Sequence, residues 1–160
     1  MIVSQSEISH IINKLRREGK KIVFTNGCFD IIHRGHVEYL YQARKFGDVL
    51  IVGLNSDDSI YRIKGEGRPI NSQEDREIVL DALKPVDYVV VFDDDTPLKL
   101  IKLILPDVLV KGSDWKPEEI VGAEIVKMND GEVKTVAVVP GKSTTVLISK
   151  ILRIYKNCKI

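Results

Sequence analysis

Two of the chain's three histidines, His33 and His36, lie around Gly35 in the run Thr25-Asn26-Gly27-Cys28-Phe29-Asp30-Ile31-Ile32-His33-Arg34-Gly35-His36. The run separates an apolar, strand-like segment from an amphipathic one, so the histidines fall at a helix N-terminus. Unpaired N–H groups and the positive end of the helix dipole make such a terminus a phosphate site. Gly35 removes the side chain where an anion must approach the backbone, and two imidazoles can donate to phosphate oxygens as charge builds. On the residues alone two other readings stay open: the imidazoles cap the helix, or Cys28, Asp30, His33 and His36 hold a metal. The metal reading lacks a further ligand pair at zinc-like spacing.

Three more groups add cations and hydroxyls. Gly141-Lys142-Ser143-Thr144-Thr145 resembles half a phosphate-binding loop, but Val136 stands where that loop needs its first glycine. What remains is an anion site of three hydroxyls and helix N–H groups, with Lys142 adjacent; an ordinary Ser cap explains only one of the hydroxyls. Lys64-Gly65-Glu66-Gly67-Arg68-Pro69 places two cations on a glycine-loosened loop, and the expectation is a mobile clamp over a polyphosphate. Lys111-Gly112-Ser113-Asp114-Trp115 ends an apolar run abruptly in a cation. Asn55, Asp57, Lys111 and Asp114 are polar residues at two expected strand ends, while Asp30 can orient a histidine or a bound group. Trp115 is as consistent with packing as with a substrate platform, and His10 reads as a surface residue.

These groups must be positioned by regular elements, and the apolar pattern supplies them. Ser4 and Glu7 form a capping box for a helix with Ile8, Ile11, Ile12 and Leu15 on one face, ended by Gly19. Near-continuous apolar strands are expected at Lys21–Asn26, Val49–Asn55, Tyr88–Phe92, Val108–Lys111 and Val133–Val139. Helices are expected from Gly35 to Phe46, from near Ser72, over Pro97–Leu105, in short pieces near Pro117–Met128, and from Ser143 to Tyr155. The alternation predicts an α/β fold with a parallel five-stranded sheet covered on both faces, one domain over residues 1–160. In such sheets ligands sit beyond the carboxyl ends of the strands, which is where the chemistry-bearing residues fall.

The 160 residues carry 24 Lys+Arg against 23 Asp+Glu, so no basic excess argues for nucleic acid or a membrane surface. No apolar run approaches a membrane span and no signal-peptide pattern opens the chain. Cys28 and Cys158 allow one bridge at most, so a reducing cytoplasm is expected.

Cys28-Phe29-Asp30 through His33-Arg34-Gly35-His36, with Ser143-Thr144-Thr145, resembles the HxGH and STT-type motifs of the cytidylyltransferase-like nucleotidyltransferases. Within that superfamily, the stretches Lys64–Asn71 and Leu105–Glu119 are similar to the D-glycero-β-D-manno-heptose 1-phosphate adenylyltransferases. The likeness spans roughly residues 7–152, further supported by Ala43–Asp48, Asn55–Asp57 and Asp94–Pro97. It implies a Rossmann-like, doubly wound sheet and Mg²⁺-dependent attack of a sugar phosphate on the α-phosphorus of ATP. His33, His36 and Lys64 would act on the reacting phosphates. Asn26, Gly27, Cys28, Phe29, Gly35, Arg68, Ser143, Thr144 and Thr145 would bind ATP, with Asp30, Asn55, Asp57, Lys111, Gly112 and Asp114 toward the acceptor. No protein metal ligand is implied. A separate sugar kinase and a homo-oligomer are the expected partners. Rival expectations are a cytidylyltransferase for glycerol phosphate or another phospho-alcohol, a flavin-forming adenylyltransferase, and a nucleotide sensor without turnover.

Overall fold

The computed structural model describes residues 1–156; Cys158 lies outside them. Six parallel strands form one sheet: β1 (Ile2–Val3), β2 (Ile22–Gly27), β3 (Val49–Asn55), β4 (Tyr88–Phe92), β5 (Val108–Gly112) and β6 (Glu132–Val136), in the order β1-β4-β3-β2-β5-β6. The expected count was five. The extra strand is the two-residue edge piece β1, which pairs Ile2 with Val89 and Val3 with Val90 and is too short to show a period.

Alternate residues of each strand feed two cores, because successive side chains point to opposite faces. Ile22, Phe24, Val49, Ile51 and Leu109 pack with Ile8 and Ile12 of α1 (Gln5–Arg17) and Ile101 and Ile104 of α5 (Leu98–Ile104). Val23, Leu50, Val52 and Val110 pack with Leu40 and Ala43 of α2 (Arg34–Arg44) and Leu80 of α4 (Gln73–Asp81). Both faces are therefore covered, which is why the central strands read as unbroken apolar runs. The capping box of α1 is present: Glu7 N–H donates to Ser4 Oγ at 3.2 Å and Ser4 N–H to Glu7 Oε2 at 2.8 Å.

A helix also stands where the sequence reading had only a polar stretch. α3 (Asp57–Lys64) is capped by Ser56, whose Oγ accepts from Ser59 N–H at 3.0 Å. With only Ser59 and Ile60 buried it has too narrow an apolar face to stand out, although Ser56-Asp57-Asp58 is a start signal. The remaining helices are α6 (Ala123–Met128), after a 3₁₀ turn at Pro117–Glu119, and α7 (Thr144–Tyr155). No helix among the described residues is long and apolar enough to cross a membrane.

From β2 the chain steps outward to β3 and β4, then crosses back to β5 and β6 on the other side. The switch point lies between β2 and β5, and a crevice forms beyond their carboxyl ends.

Candidate functional site

A cavity of about 620 Å³ opens at that switch point, in the range of a small-molecule site. Its floor is Asn26 and Gly27 at the end of β2 and Lys111 and Gly112 at the end of β5.

His33 and His36 stand on one wall. Their rings are stacked with centroids 3.8 Å apart and planes 17° apart. His33 is the N-cap of α2: its Nδ1 accepts from His36 N–H at 3.4 Å, so the capping alternative is true of one nitrogen and leaves Nε2. His36 is held edge-on by Phe29, with centroids 5.3 Å apart. Phe29 adopts a positive φ of 45° to place that ring, which also covers Gly27; a Cβ on Gly27 would sit 3.1 Å from it. Burial and the neighbouring His33 push the His36 imidazole down to about 4, and burial followed by the Lys142 charge lowers His33 as well. Both rings are neutral at pH 7, each with one N–H to donate. His36 Nδ1 is buried without a protein partner among the described residues.

A second helix N-terminus meets the first. Gly35 lies so near the loop before α7 that a Cβ on it would come within 3.2 Å of Lys142 Cβ. Ser143 spends its Oγ capping α7, accepting from Val146 N–H at 3.2 Å. Lys142, Thr144 and Thr145 line the cavity. The two helix dipoles and the Lys142 ammonium converge on one volume, which suits a polyanion.

The clamp loop differs from expectation. Arg68 Nε donates to Asp30 Oδ2 at 2.7 Å, and that carboxylate also accepts from Ile70 N–H at 2.8 Å and Asn71 N–H at 2.9 Å. Arg68 is therefore anchored, and Asp30, 2% exposed, has its oxygens occupied by the loop. A buried carboxylate needs its donors, and it takes them from the nearest chain. Lys64, at the end of α3, remains exposed at the cavity mouth, followed by Gly65 and Gly67 at φ of 85° and 80°.

Asp57 is likewise corrected. It is not part of the cavity wall; Oδ1 accepts from Arg76 Nη2 at 2.7 Å and Oδ2 from Gln73 N–H at 3.1 Å, so it joins α3 to α4. Asn55 reaches the wall, but its Nδ2 is committed to Ser59 Oγ at 3.0 Å. Lys111 lines the cavity at the end of β5. Its Nζ donates to the Asn26 carbonyl at 3.4 Å and stands 5.7 Å from the ring centroid of Trp115, which is exposed and lines the cavity. Burial pushes the Lys111 ammonium down to about 8, partly opposed by Asp114. Asp114 packs beside Gly112, where a Cβ would collide with its Oδ1.

Sequence reasoning missed Tyr39 and Arg76. Tyr39 shares a hydrogen bond with Thr25 Oγ1 at 2.6 Å and donates to the Val110 carbonyl at 3.1 Å, fastening α2 over β2 and β5. Its place three residues after His36, on the same helix face, was the available signal. Arg76 sits mid-helix among polar neighbours, where nothing in the sequence distinguishes it from a solvated arginine. Among the described residues no three His, Cys, Asp or Glu side chains are grouped to hold a metal ion.

Residues 24–153 match the family model described as cytidylyltransferase-like. The bifunctional protein HldE of Wolinella succinogenes is 57% identical over 150 residues, 94% of this chain and 31% of that one. That of Geobacter sulfurreducens is 55% identical over 148 residues, 92% of this chain and 30% of that one. The chain thus spans under a third of the length of the curated relatives it matches. Among solved structures, the lipopolysaccharide core biosynthesis protein from Thermoplasma volcanium aligns with a TM-score of 0.60 and 31% identity, over 76% of this chain and 98% of that one. Pantoate-beta-alanine ligase from Francisella tularensis shares the fold at a TM-score of 0.63 and 17% identity, over 98% of this chain and 78% of that one.

Proposed function

This chain belongs to the cytidylyltransferase-like family, and from that premise we propose that it transfers the adenylyl group of ATP to D-glycero-β-D-manno-heptose 1-phosphate, giving ADP-heptose and pyrophosphate. The observation that carries this reading is the meeting of two helix N-termini, the stacked His33–His36 pair and Lys142-Ser143-Thr144-Thr145, in one cavity.

No protein nucleophile is required. A phosphate oxygen of the acceptor attacks the α-phosphorus, the new P–O bond forms, and the bridging P–O bond to pyrophosphate breaks. The protein's work is alignment and charge stabilisation. His33 and His36, both neutral in the free protein, donate N–H groups to phosphate oxygens as negative charge shifts toward the leaving group. Lys142 and the hydroxyls of Thr144 and Thr145 hold the β and γ phosphates, and Lys64 covers them from the cavity mouth. Lys111, with Asp114 beside it, receives the acceptor phosphate and sugar at the end of β5.

Mg²⁺ suits this donor set. The wall is built of N–H, hydroxyl and ammonium groups rather than a carboxylate cage, and Mg²⁺ is commonly held through substrate phosphates and water. Asp114 is the lining carboxylate that neither Arg68 nor Arg62 engages, and it would reach the ion's water shell. The ion would supply further charge neutralisation.

The proposal extends to residues 1–160 acting as one nucleotidyltransferase domain and to a sugar kinase that supplies the acceptor. Self-association as a homo-oligomer would cover Ile151, Leu152 and Ile154, exposed on α7. Pyrophosphate release with ATP or CTP, against heptose 1-phosphate or glycerol 3-phosphate, tests the reaction. ATP with heptose 1-phosphate should give the highest kcat/KM. Preferred turnover of CTP with glycerol phosphate would replace the heptose assignment, and no release with any pair would leave a binding protein.

A further inference from the structure

Arg76 lies on α4 outside the catalytic cavity, and it is 1% exposed. Its guanidinium makes four hydrogen bonds to parts of the chain far apart in sequence. Nη1 donates to the Cys28 carbonyl and to the Asn55 carbonyl, each at 2.8 Å. Nε donates to the Asn71 carbonyl at 3.2 Å, and Nη2 to Asp57 Oδ1 at 2.7 Å. These acceptors belong to the loop between β2 and α2, the end of β3, the loop between α3 and α4, and the first turn of α3.

We propose that Arg76 is a positioning residue that holds the three loops of the transfer site in one fixed arrangement. Burying a guanidinium is costly unless its donors are matched, and here three carbonyls and a carboxylate take four of its five N–H groups. The fork is rigid and planar, so the directions of its N–H groups fix where the three carbonyls must sit; a lysine ammonium has no such fork. Two residues beyond Cys28, Asp30 receives Arg68, Ile70 and Asn71. Arg76 thus ties the loop that leads into the histidine turn to the loop that follows Lys64. Asp57 holds the guanidinium from the other side while capping α4 through Gln73 N–H. A displacement of about 1 Å in such loops costs on the order of 10² in rate even when the altered residue is remote from the reacting atoms.

The kinetic part of this inference rests on the proposed reaction; the structural part does not, and the test separates them. Arg76→Lys and Asp57→Asn are compared with the wild type by amide hydrogen exchange on the free protein and by steady-state kinetics per folded molecule. Exchange at Ile70 and Asn71, whose N–H groups bond Asp30, should accelerate by tenfold or more while exchange within β3 stays within about threefold. In Arg76→Lys, kcat should fall about 10²-fold, with a smaller change in KM for the nucleotide. Equal acceleration in the loops and in β3, or a kcat within twofold of wild type, overturns the proposal in favour of a purely stabilising arginine. Should Arg76→Lys fail to fold, Asp57→Asn, whose carboxylate is half-exposed, decides the question by the same two measurements, with at least a tenfold loss of kcat expected. A wild type that releases no pyrophosphate defeats the reaction assignment, and the exchange result still decides the role of Arg76.

Discussion

Asp30 and Arg68 form a 2.7 Å ion pair in which the carboxylate is 1% exposed and the guanidinium 21%. Asp30 is thereby excluded as a free acid or base, and the loop after α3 is divided in two. Its later half, Arg68–Asn71, is pinned by Asp30; its earlier half, around Gly65 and Gly67, has open space where a Cβ would be.

Lys64 and Arg68 should therefore behave differently, although both are cations of one loop. Arg68→Gln leaves a buried carboxylate with only its backbone donors and should cost about 2 kcal/mol of stability. Lys64→Ala should leave the thermal midpoint within about 1 °C, since exposed charges contribute little. Both should lower turnover. Thermal denaturation beside pyrophosphate release checks the pair; equal midpoints would show that the Asp30–Arg68 contact contributes nothing.

His36→Gln should reduce kcat by about 10²–10³-fold, with a far smaller effect on KM for ATP. Its depressed pKa also has a signature in stability. The unfolded chain takes up a proton near the ordinary histidine value of 6.5, the folded His36 only near 4. The unfolded state binds more protons in that window, so the stabilisation is present above 6.5 and lost as pH falls toward 4. The variant's midpoint should fall less steeply than the wild type's over the window, with the remaining slope owed to His33 and other groups. Parallel curves would mean that His36 is not buried as neutral imidazole.

Lys111 sets a pH limit on the acceptor. With its ammonium held near 8 by burial, it loses charge as pH rises through that value. KM for the sugar phosphate should climb above pH 8, while Lys111→Arg, which keeps its charge, should show a flat profile whatever its absolute KM. A wild-type profile as flat as the variant's removes Lys111 from acceptor binding.

Gly35→Ala separates packing from chemistry. An added Cβ would stand 3.0 Å from the His33 ring and 3.2 Å from Lys142 Cβ, so the ring or the α7 loop must shift. Alanine is also the better helix former by up to about 1 kcal/mol, which offsets the crowding. The expected outcome is at least a tenfold loss of kcat with a thermal midpoint within about 2 °C of wild type. Full activity would show that the histidine wall tolerates displacement.

Much of the site was legible because its chemistry is local. His33, Gly35 and His36 occupy one helix turn, and Ser143-Thr144-Thr145 another, so their spacing alone states what they can bind. Four of the expected site loops reach the cavity because strand ends of a parallel sheet share one edge. The ion pairs made by Asp57 and Arg68 were not legible, for the converse reason. Their partners, Arg76 and Asp30, lie 19 and 38 residues away, and no local pattern marks a charge that will be neutralised by folding.

The apolar periodicity of the chain by itself determined the alternation of strand and helix, the parallel sheet and the edge on which ligands meet it, because side-chain period and burial are properties of contiguous residues. The tertiary structure alone decided the edge strand Ile2–Val3, whose two residues are held by β4, and which charges remained free. Burying Asp30 and Arg76 obliged each to find partners among whatever chain lay nearest. That competition pinned Arg68 to Asp30 at the cavity wall, joined Asp57 to α4 and left Lys64, Lys111 and Lys142 as the other cations lining the cavity.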